Sequence, residues 1–288
     1  MLPEAEIRLF ILTAITMVAF ASNSILNRLA LLEDTIGPGA FAAIRVASGV
    51  LVLFALLALK DRALPALTRP KPAAVFGLTA YMLGFSFAYV SMDAGIGALI
   101  LFGGVQVTMF AGSVVEGDRP PVQRWIGMLI SMSGLAVLTL PNEAISMPWS
   151  AAGLMALAAL GWGIYSLMGR SASDPIAATA WNFLGCLPLV LLTLVAVPDV
   201  TEASLFGVLL AVASGGITSA LGYALWYALL QSLGATRAAL SQLSATAIAI
   251  GLGALFLGES VTLVALLASG LILGGIAIGL LPNTKKAS

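Results

Sequence analysis

Histidine is absent from the 288 residues, Cys186 is the only cysteine, and the charged side chains number just 13 acidic and 13 basic. The first absence removes imidazole general bases and histidine-held haem or zinc. A lone cysteine removes four-cysteine zinc and iron–sulfur sites and any intrachain disulfide. A soluble domain of this length would carry about 70 charges, so the chain lacks the polar material to clothe a water-facing surface. Its charges balance to zero, which gives no electrostatic reason to expect a nucleic-acid partner. A Gly-rich loop ending in Lys-Ser/Thr is also missing, so no ATP site and no cofactor is expected. What is there is apolar: 60% of the residues are hydrophobic and the mean hydropathy is +1.06. Lipid is the expected solvent.

A bilayer core is about 30 Å thick and is crossed by about 20 apolar residues of helix. Such runs recur over 7–30, 38–59, 72–92, 96–115, 122–140, 149–169, 175–197, 204–230, 235–257 and 262–281. The expected fold is therefore all-α, with ten transmembrane helices. The runs are continuous and far too long for barrel strands of alternating polarity. Between them lie helix breakers such as Gly37-Pro38, Arg69-Pro70-Lys71-Pro72, Asp174-Pro175 and Pro198-Asp199. No loop is large enough to fold as a soluble domain. Ala19-Phe20-Ala21 resembles a signal cleavage site, but the run continues to Leu32 and its preceding residues include two glutamates, so a retained first helix is expected.

Ten spans put both termini on one side. If that side is cytoplasmic, it holds Arg8, Lys60, Arg62, Arg69, Lys71, Arg119, Arg124, Arg170, Arg237, Lys285 and Lys286, leaving only Arg28 and Arg45 of the 13 basic residues elsewhere. The opposite loops carry Glu33, Asp34, Asp93, Glu143, Asp199, Glu202 and Glu259. Positive-inside bias over short loops sets orientation, so both termini are expected in the cytoplasm of a bacterial-type inner membrane.

The chain also repeats. Residues 114–138 align with 255–279 at a constant offset, pairing Gly117 with Gly258, Asp118 with Glu259 and Gly134 with Gly275. Phe20, Ser24 and Arg28 pair with Trp162, Ser166 and Arg170. Each half, 1–140 and 149–281, holds five expected spans. An odd number makes the second copy enter the membrane from the other side, an inverted-topology repeat. With these motifs the chain resembles the EamA family of the drug/metabolite transporter superfamily over essentially its whole length. In that family each half closes on a Gly-Glu and spaced glycines. Here these fall on Gly258-Glu259 and Gly275, and on Gly117-Asp118, Gly127 and Gly134, with aspartate for glutamate in the first half and Ala268 at a common glycine position. The family's common first-helix aromatic falls on Phe20 and Trp162, and its second-helix arginine on Arg45 with Asn182 near the equivalent place. The proline often found midway along the fourth helix of each half is missing from both. The resemblance implies secondary transport of a small organic metabolite, an amino acid or similar, by alternating access and in the outward direction; no enzyme activity is expected.

A translocation path should be lined by polar and aromatic side chains on apolar helices. The candidates are Asn23, Asn27, Tyr81, Tyr89, Gln106, Trp162, Tyr165, Trp181, Tyr223, Tyr227 and Gln242, with Ser22, Ser24, Ser86, Thr218, Trp226 and Thr246 on the same helices. Asn23 with Asn27, Tyr223 with Tyr227, and Gln242 with Thr246 are each one turn apart on one face. Trp162 and Tyr165 lie deep in their span and form the best pair for stacking on a solute. Serine and threonine in membrane helices commonly return their hydroxyls to the helix, and aromatics at span ends are ordinary anchors. Arg45 is the one ionisable residue clearly inside a span, about 10 Å from its outer end. It is expected either to snorkel outward toward Glu33, Asp34 or Asp93 as a gating pair, or to attract an anionic group of the solute. No carboxylate falls near mid-membrane, so proton coupling has no evident carrier, and Asp118 and Glu259 at span ends suit helix-terminus contacts. The small-residue spacings Gly270/Gly274, Gly275/Gly279 and Gly215/Ser219 are expected to serve close helix packing within a monomer, with a dimer contact as the alternative. Two other classes fit less well. A membrane-embedded enzyme acting on a lipid-linked substrate would need a cluster of ionisable groups at one face, and only residues 116–119 come close. The other is a channel or a non-transporting scaffold; a channel would need a filter or charge rings, and neither is visible.

Overall fold

The computed structural model describes residues 4–61, 69–115, 117, 121–139 and 147–280, and every regular element among them is helical. The helices are α1 (Glu4–Leu32), α2 (Pro38–Asp61), α3 (Pro72–Ala88), α4 (Ala94–Val115), α5 (Val122–Thr139), α6 (Trp149–Gly169), α7 (Pro175–Ala196), α8 (Leu205–Val212), α9 (Gly222–Leu257) and α10 (Leu263–Leu280), with a π-helical stretch, Ala213–Leu221, joining α8 to α9. Punctuation read from the sequence sets their starts. Pro72 and Pro175 open α3 and α7 where a missing N–H costs nothing, and the Asp174 carboxylate accepts from the amides of Ile176 and Ala177. The Ser204 hydroxyl caps α8 through the Gly207 amide.

Among the described residues, 6 helical stretches are long and apolar enough to cross a membrane. Pro72–Ala88, Ser244–Leu257 and Leu263–Gly279 are apolar but shorter. Large apolar side chains face outward all along the bundle, among them Phe10, Leu51, Phe76, Leu129, Leu192, Phe256 and Leu263, each more than half exposed. In water such a surface would aggregate; against lipid it is the favourable one.

One expected boundary is absent. The sequence separates two spans at 231–234, yet helical backbone runs through Gly222–Leu257 without a break. That stretch is nevertheless folded back on itself. Tyr223 lies 4.6 Å from the Trp162 ring centre to centre, and the Trp162 indole N–H donates to Gln242 Oε1 at 3.2 Å. A straight helix would hold Tyr223 and Gln242 about 28 Å apart, so the chain reverses between Tyr227 and Gln242 while keeping helical backbone. The sequence expects a loop at the reversal because a polar, glycine-containing run interrupts the apolar pattern there.

Helix pairing follows a regular scheme. α2 packs on α7, α5 on α10 and α4 on α9, while α3 packs on α6 and α1 on the start of α9 and the preceding π-helical stretch. The α5–α10 crossing is a backbone-to-backbone contact: a Cβ on Gly127 would strike the Gly275 carbonyl, and Gly134 lies against Leu271 and the Ala268 carbonyl. Of the small-residue spacings, Gly275 and Gly279 face α5 and Gly215 faces α2, whereas Gly270 and Gly274 face open space and make no close helix contact.

The bundle has two unlike ends. At one, Lys60 pairs with Asp174 at 2.7 Å and Lys71 donates to Ser171 at 2.9 Å. At the other, Asp199 accepts from the amides of Gly39 and Ala40 at the start of α2, at 3.1 and 2.6 Å. There too Glu259 accepts from Ala94 and Gly95 at the start of α4, at 2.6 and 3.1 Å.

Candidate functional site

The interior between the two ends is built from aromatic rings and hydroxyls. Trp162 of α6 is its hub, with ring centres of Tyr81 (α3) at 5.0 Å, Phe20 (α1) at 5.4 Å, Tyr165 at 5.3 Å and Tyr223 (α9) at 4.6 Å. Tyr165 stacks on Tyr227 at 4.7 Å, and the Tyr227 hydroxyl donates to the Tyr165 carbonyl. Each well-placed ring pair contributes about 0.5–1.5 kcal/mol beyond the area it buries. Trp162, Tyr165, Tyr223 and Tyr227 are all buried, so none acts as an interfacial anchor.

Beside the rings runs a polar seam. Asn23 of α1 is buried, and its Oδ1 accepts from Ser214 at 2.8 Å, Thr218 at 2.5 Å and Ser219 at 3.3 Å. Those three donors sit on the π-helical stretch, whose wider turn brings positions 214, 218 and 219 to one face; π turns of this kind recur at functional sites. Gly215 makes the approach possible, since a Cβ there would collide with the Arg45 carbonyl and the Ser48 hydroxyl of α2. One turn beyond Asn23, Asn27 donates to the Ser86 hydroxyl at 3.2 Å. Among the described residues, Asn23 Nδ2 and Asn27 Oδ1 are buried without partners.

Arg45 ends in the same seam, contrary to the expectation that it snorkels outward to an acid. It is fully buried, and among the described residues no carboxylate pairs with it. Its Nε donates to Ser219 at 2.9 Å, and its Nη2 to the hydroxyls of Tyr81 at 3.1 Å and Tyr223 at 2.7 Å. The guanidinium also lies over the rings of Phe85 and Tyr81, 5.0 and 5.4 Å from their centres. Five neutral groups on α3, α9 and the π stretch offer it a softer environment than lipid, which is why it turns inward. Arg28 answers Asp93 instead, at 3.6 Å, and binds the carbonyls of Tyr89 and Val90.

The remaining sequence candidates divide. Tyr81, Trp162, Tyr165, Tyr223, Tyr227 and Gln242 join the aromatic cluster, Gln242 through its bond to Trp162. Tyr89 is buried toward the end that holds Glu259, where it packs on Phe85 and reaches the Ala94 carbonyl. Trp181 packs edge-on against Phe54, and Gln106 is half-buried on α4, one turn from Phe102. Asp118 lies outside the described residues. Several threonines follow the packing alternative, Thr16, Thr79, Thr108, Thr179 and Thr193 each donating to the carbonyl four residues earlier. Sequence reasoning gave no path role to Ser214 or Ser219, although the dense Ser/Gly/Thr run at 214–219 inside an apolar span was the available signal.

A cavity of about 230 Å³ opens at the Lys60–Asp174 end and reaches inward to Tyr227 and Asn182, its mouth formed by Arg69, Lys71, Ser171 and Asp174. Partial burial raises the Asp174 carboxyl, but the hydrogen bond and charge of Lys60 with the amides of Ala177 and Ile176 outweigh it and leave its pKa lowered. At the opposite end the comparable cleft, beside Asp93 and Glu259, holds only about 20 Å³. There burial dominates for Glu259 and leaves its pKa raised, with Asp93 adding to the effect and the amides of Ala94 and Gly95 and the charge of Arg28 opposing it. Among the described residues no group of three or more His, Cys, Asp or Glu side chains is placed to hold a metal ion.

Comparison with known proteins matches the chain to the EamA-like transporter family twice, over residues 8–140 and 149–281. An uncharacterized protein of Pseudomonas aeruginosa is 42% identical over 282 residues, covering 98% of this chain and 97% of its own. An uncharacterized transporter of Archaeoglobus fulgidus is 25% identical over 253 residues, covering 84% and 88%. A protein of solved crystal structure superposes with a TM-score of 0.68 at 18% identity, over 96% of this chain and 99% of that one, a likeness of fold. The chain belongs to the EamA-like transporter family of the drug/metabolite transporter superfamily, multi-pass proteins of the bacterial-type inner membrane that move small molecules rather than catalyse reactions.

Proposed function

We propose that the protein is a secondary transporter that carries a small organic metabolite, an amino acid or similar, out across the inner membrane by alternating access. It does so as a monomer of ten spans, arranged as inverted five-helix repeats over 1–140 and 149–281, with both termini cytoplasmic. The observation that carries this reading is the aromatic and polar cluster, because both repeats build it: Phe20, Asn23, Arg45 and Tyr81 come from the first, and Trp162, Tyr165, Ser219 and Tyr223 from the second. Solute sites at a repeat interface near mid-membrane are what alternating access requires.

Three features favour the inverted arrangement. Exchanging the halves maps α2–α7, α4–α9 and α5–α10 onto themselves, and it maps α3–α6 onto the packing of α1 with the segment around the start of α9. Gly117 and Gly258, equivalent by the repeat, both adopt left-handed backbone, with φ of +96° and +65°. The large cavity is lined by Arg69 and Lys71, with Lys60 paired to its lining residue Asp174, on the side that positive-inside bias assigns to the cytoplasm. Among the described residues the larger cavity reaches inward to Tyr227, and the cleft beside Glu259 holds about 20 Å³.

The test is flux in proteoliposomes across amino acids, purines, sugars and organic acids, with and without a pH gradient. Saturable flux of one class that falls to background in Trp162→Ala and is partly kept in Trp162→Phe supports the reading. Absence of flux for every solute, with intact reconstituted protein, overturns it. Single cysteines at 118 and 259, labelled from each side, test the topology; labelling of both from one side would sink the inverted repeat.

A further inference from the structure

The Arg45 guanidinium is held by three hydrogen bonds at Nε and Nη2, while its Nη1 is buried with no partner among the described residues. Nitrogen donors left unmatched in a lipid-bounded interior are expensive, and a charged one most of all. Packing alone does not require this arrangement, since a neutral side chain could join the same three hydroxyls. Asn23 Nδ2, a second unmatched donor, belongs to the same seam, because Ser219 accepts from Arg45 and donates to Asn23. The seam thus offers two free N–H donors and one net positive charge, and Arg45 is the sole charged side chain among the described residues in the buried interior.

We propose that Arg45 is the anion-receiving residue of the translocation path and that the transported solute carries a single carboxylate. This rests on the transporter reading and adds the chemical class of the solute. Anchored at Nε and Nη2, the guanidinium does not reorient on binding, so little ordering entropy opposes capture by Nη1. One negative charge neutralises the site. A dianionic phosphate would bring a second charge for which the described interior holds no other buried cation. The apolar part of the solute then lies against Trp162 and Tyr81, whose rings adjoin the guanidinium through Tyr81 and Tyr223. Arg69 and Lys71 at the cavity mouth bias the approach toward the same sign of charge.

The experiment measures binding and flux for matched pairs, each amino acid and simple monocarboxylate beside its carboxamide, and for inorganic phosphate and sugar phosphates. Wild-type protein is expected to bind carboxylates about tenfold or more tighter than their amides, the discrimination typical of one charge-assisted hydrogen bond. In Arg45→Gln that ratio collapses toward one, with amide binding retained, while Arg45→Lys keeps part of it. Ser219→Ala, which frees Nε without removing the charge, lowers the ratio less and guards against a folding failure in the Arg45 variants. Equal wild-type affinity for acid and amide overturns the proposal while leaving transport intact. So does an Arg45→Gln protein, folded by size-exclusion profile, that loses both ligands equally. Preference for phosphates refutes the single carboxylate. Failure of every solute to bind or move removes the transporter reading, and this proposal falls with it.

Discussion

The two ends of the bundle are made by the same helices and yet behave as opposites. At the Lys60–Asp174 end the contacts are long side chains meeting across exposed loops, and a cavity of about 230 Å³ remains between them. At the Glu259–Asp199 end acidic side chains reach directly onto backbone amides at the starts of α4 and α2, and the cleft described beside Glu259 holds about 20 Å³. Flexible ion pairs between half-exposed groups contribute little, about 0–1 kcal/mol, and leave room. A carboxylate on a helix N-terminus satisfies donors that have no other partner and draws the two elements into contact. The end sealed by carboxylates is therefore the tight one, and the end edged with lysines the open one.

The comparison can be broken most directly by accessibility. With the buried Cys186 replaced by serine, a cysteine at Ala178 in the large cavity is expected to react with a water-soluble maleimide about 100-fold faster than one at Ala265 beside Glu259, because thiol reactivity follows exposure. Equal rates would mean that the two ends do not differ in solution. Next in size, Glu259→Ala strips two amides of their acceptor. Thermal unfolding should report a loss of about 1–2 kcal/mol, discounted for the partial exposure of the group, and labelling at Ala265 should rise. Asp199→Ala removes the matching contact on α2, with an expected cost of about 1 kcal/mol, the usual value of a cap. A faster Ala178 reaction in either variant would show that the sealed end controls the open one.

The smallest effect is a difference in sign with pH. The Glu259 pKa is raised, so its contribution to stability is full below the ordinary value of 4.5 and is lost as pH rises through the raised one. The Asp174 pKa is lowered, so its contribution is present above the ordinary value of 3.8 and is lost as pH falls through the depressed one. Melting curves of wild type against Glu259→Gln should therefore converge as pH climbs from about 4 to 7, and those against Asp174→Asn as pH drops below about 4. Convergence in the same direction for both would remove the electrostatic half of the contrast.

Much of this was legible in order of residues. Pro72, Asp174-Pro175 and Gly258 mark helix ends because a missing N–H, a short acceptor and a left-handed glycine act locally, on backbone a few residues away. The sorting of lysine and arginine to one set of loops is likewise a property of the linear chain. The reversal near 231–234 was legible as a change of direction but not as unbroken helical backbone, since local composition signals where an apolar run stops and not how the turn is made. Trp162 and Asn23 could be chosen as path candidates from depth alone. That Asn23 faces three hydroxyls, and Trp162 faces Gln242, depends on which face of each helix meets its neighbour.

The scarcity of charge, the absence of histidine, the apolar runs and the doubled Gly-acidic motif were determined by the sequence, because solvent preference, helix stops and repetition are sums over neighbouring residues. The fate of Arg45 was decided by tertiary structure alone. From its position the leading expectation was an outward reach to an acid, with attraction of an anionic solute group as the alternative. The π-helical stretch packed on α2 through Gly215, with Ser219, Tyr81 and Tyr223 arriving from three different segments, made the inward turn the lower-energy choice and left one guanidinium nitrogen unclaimed.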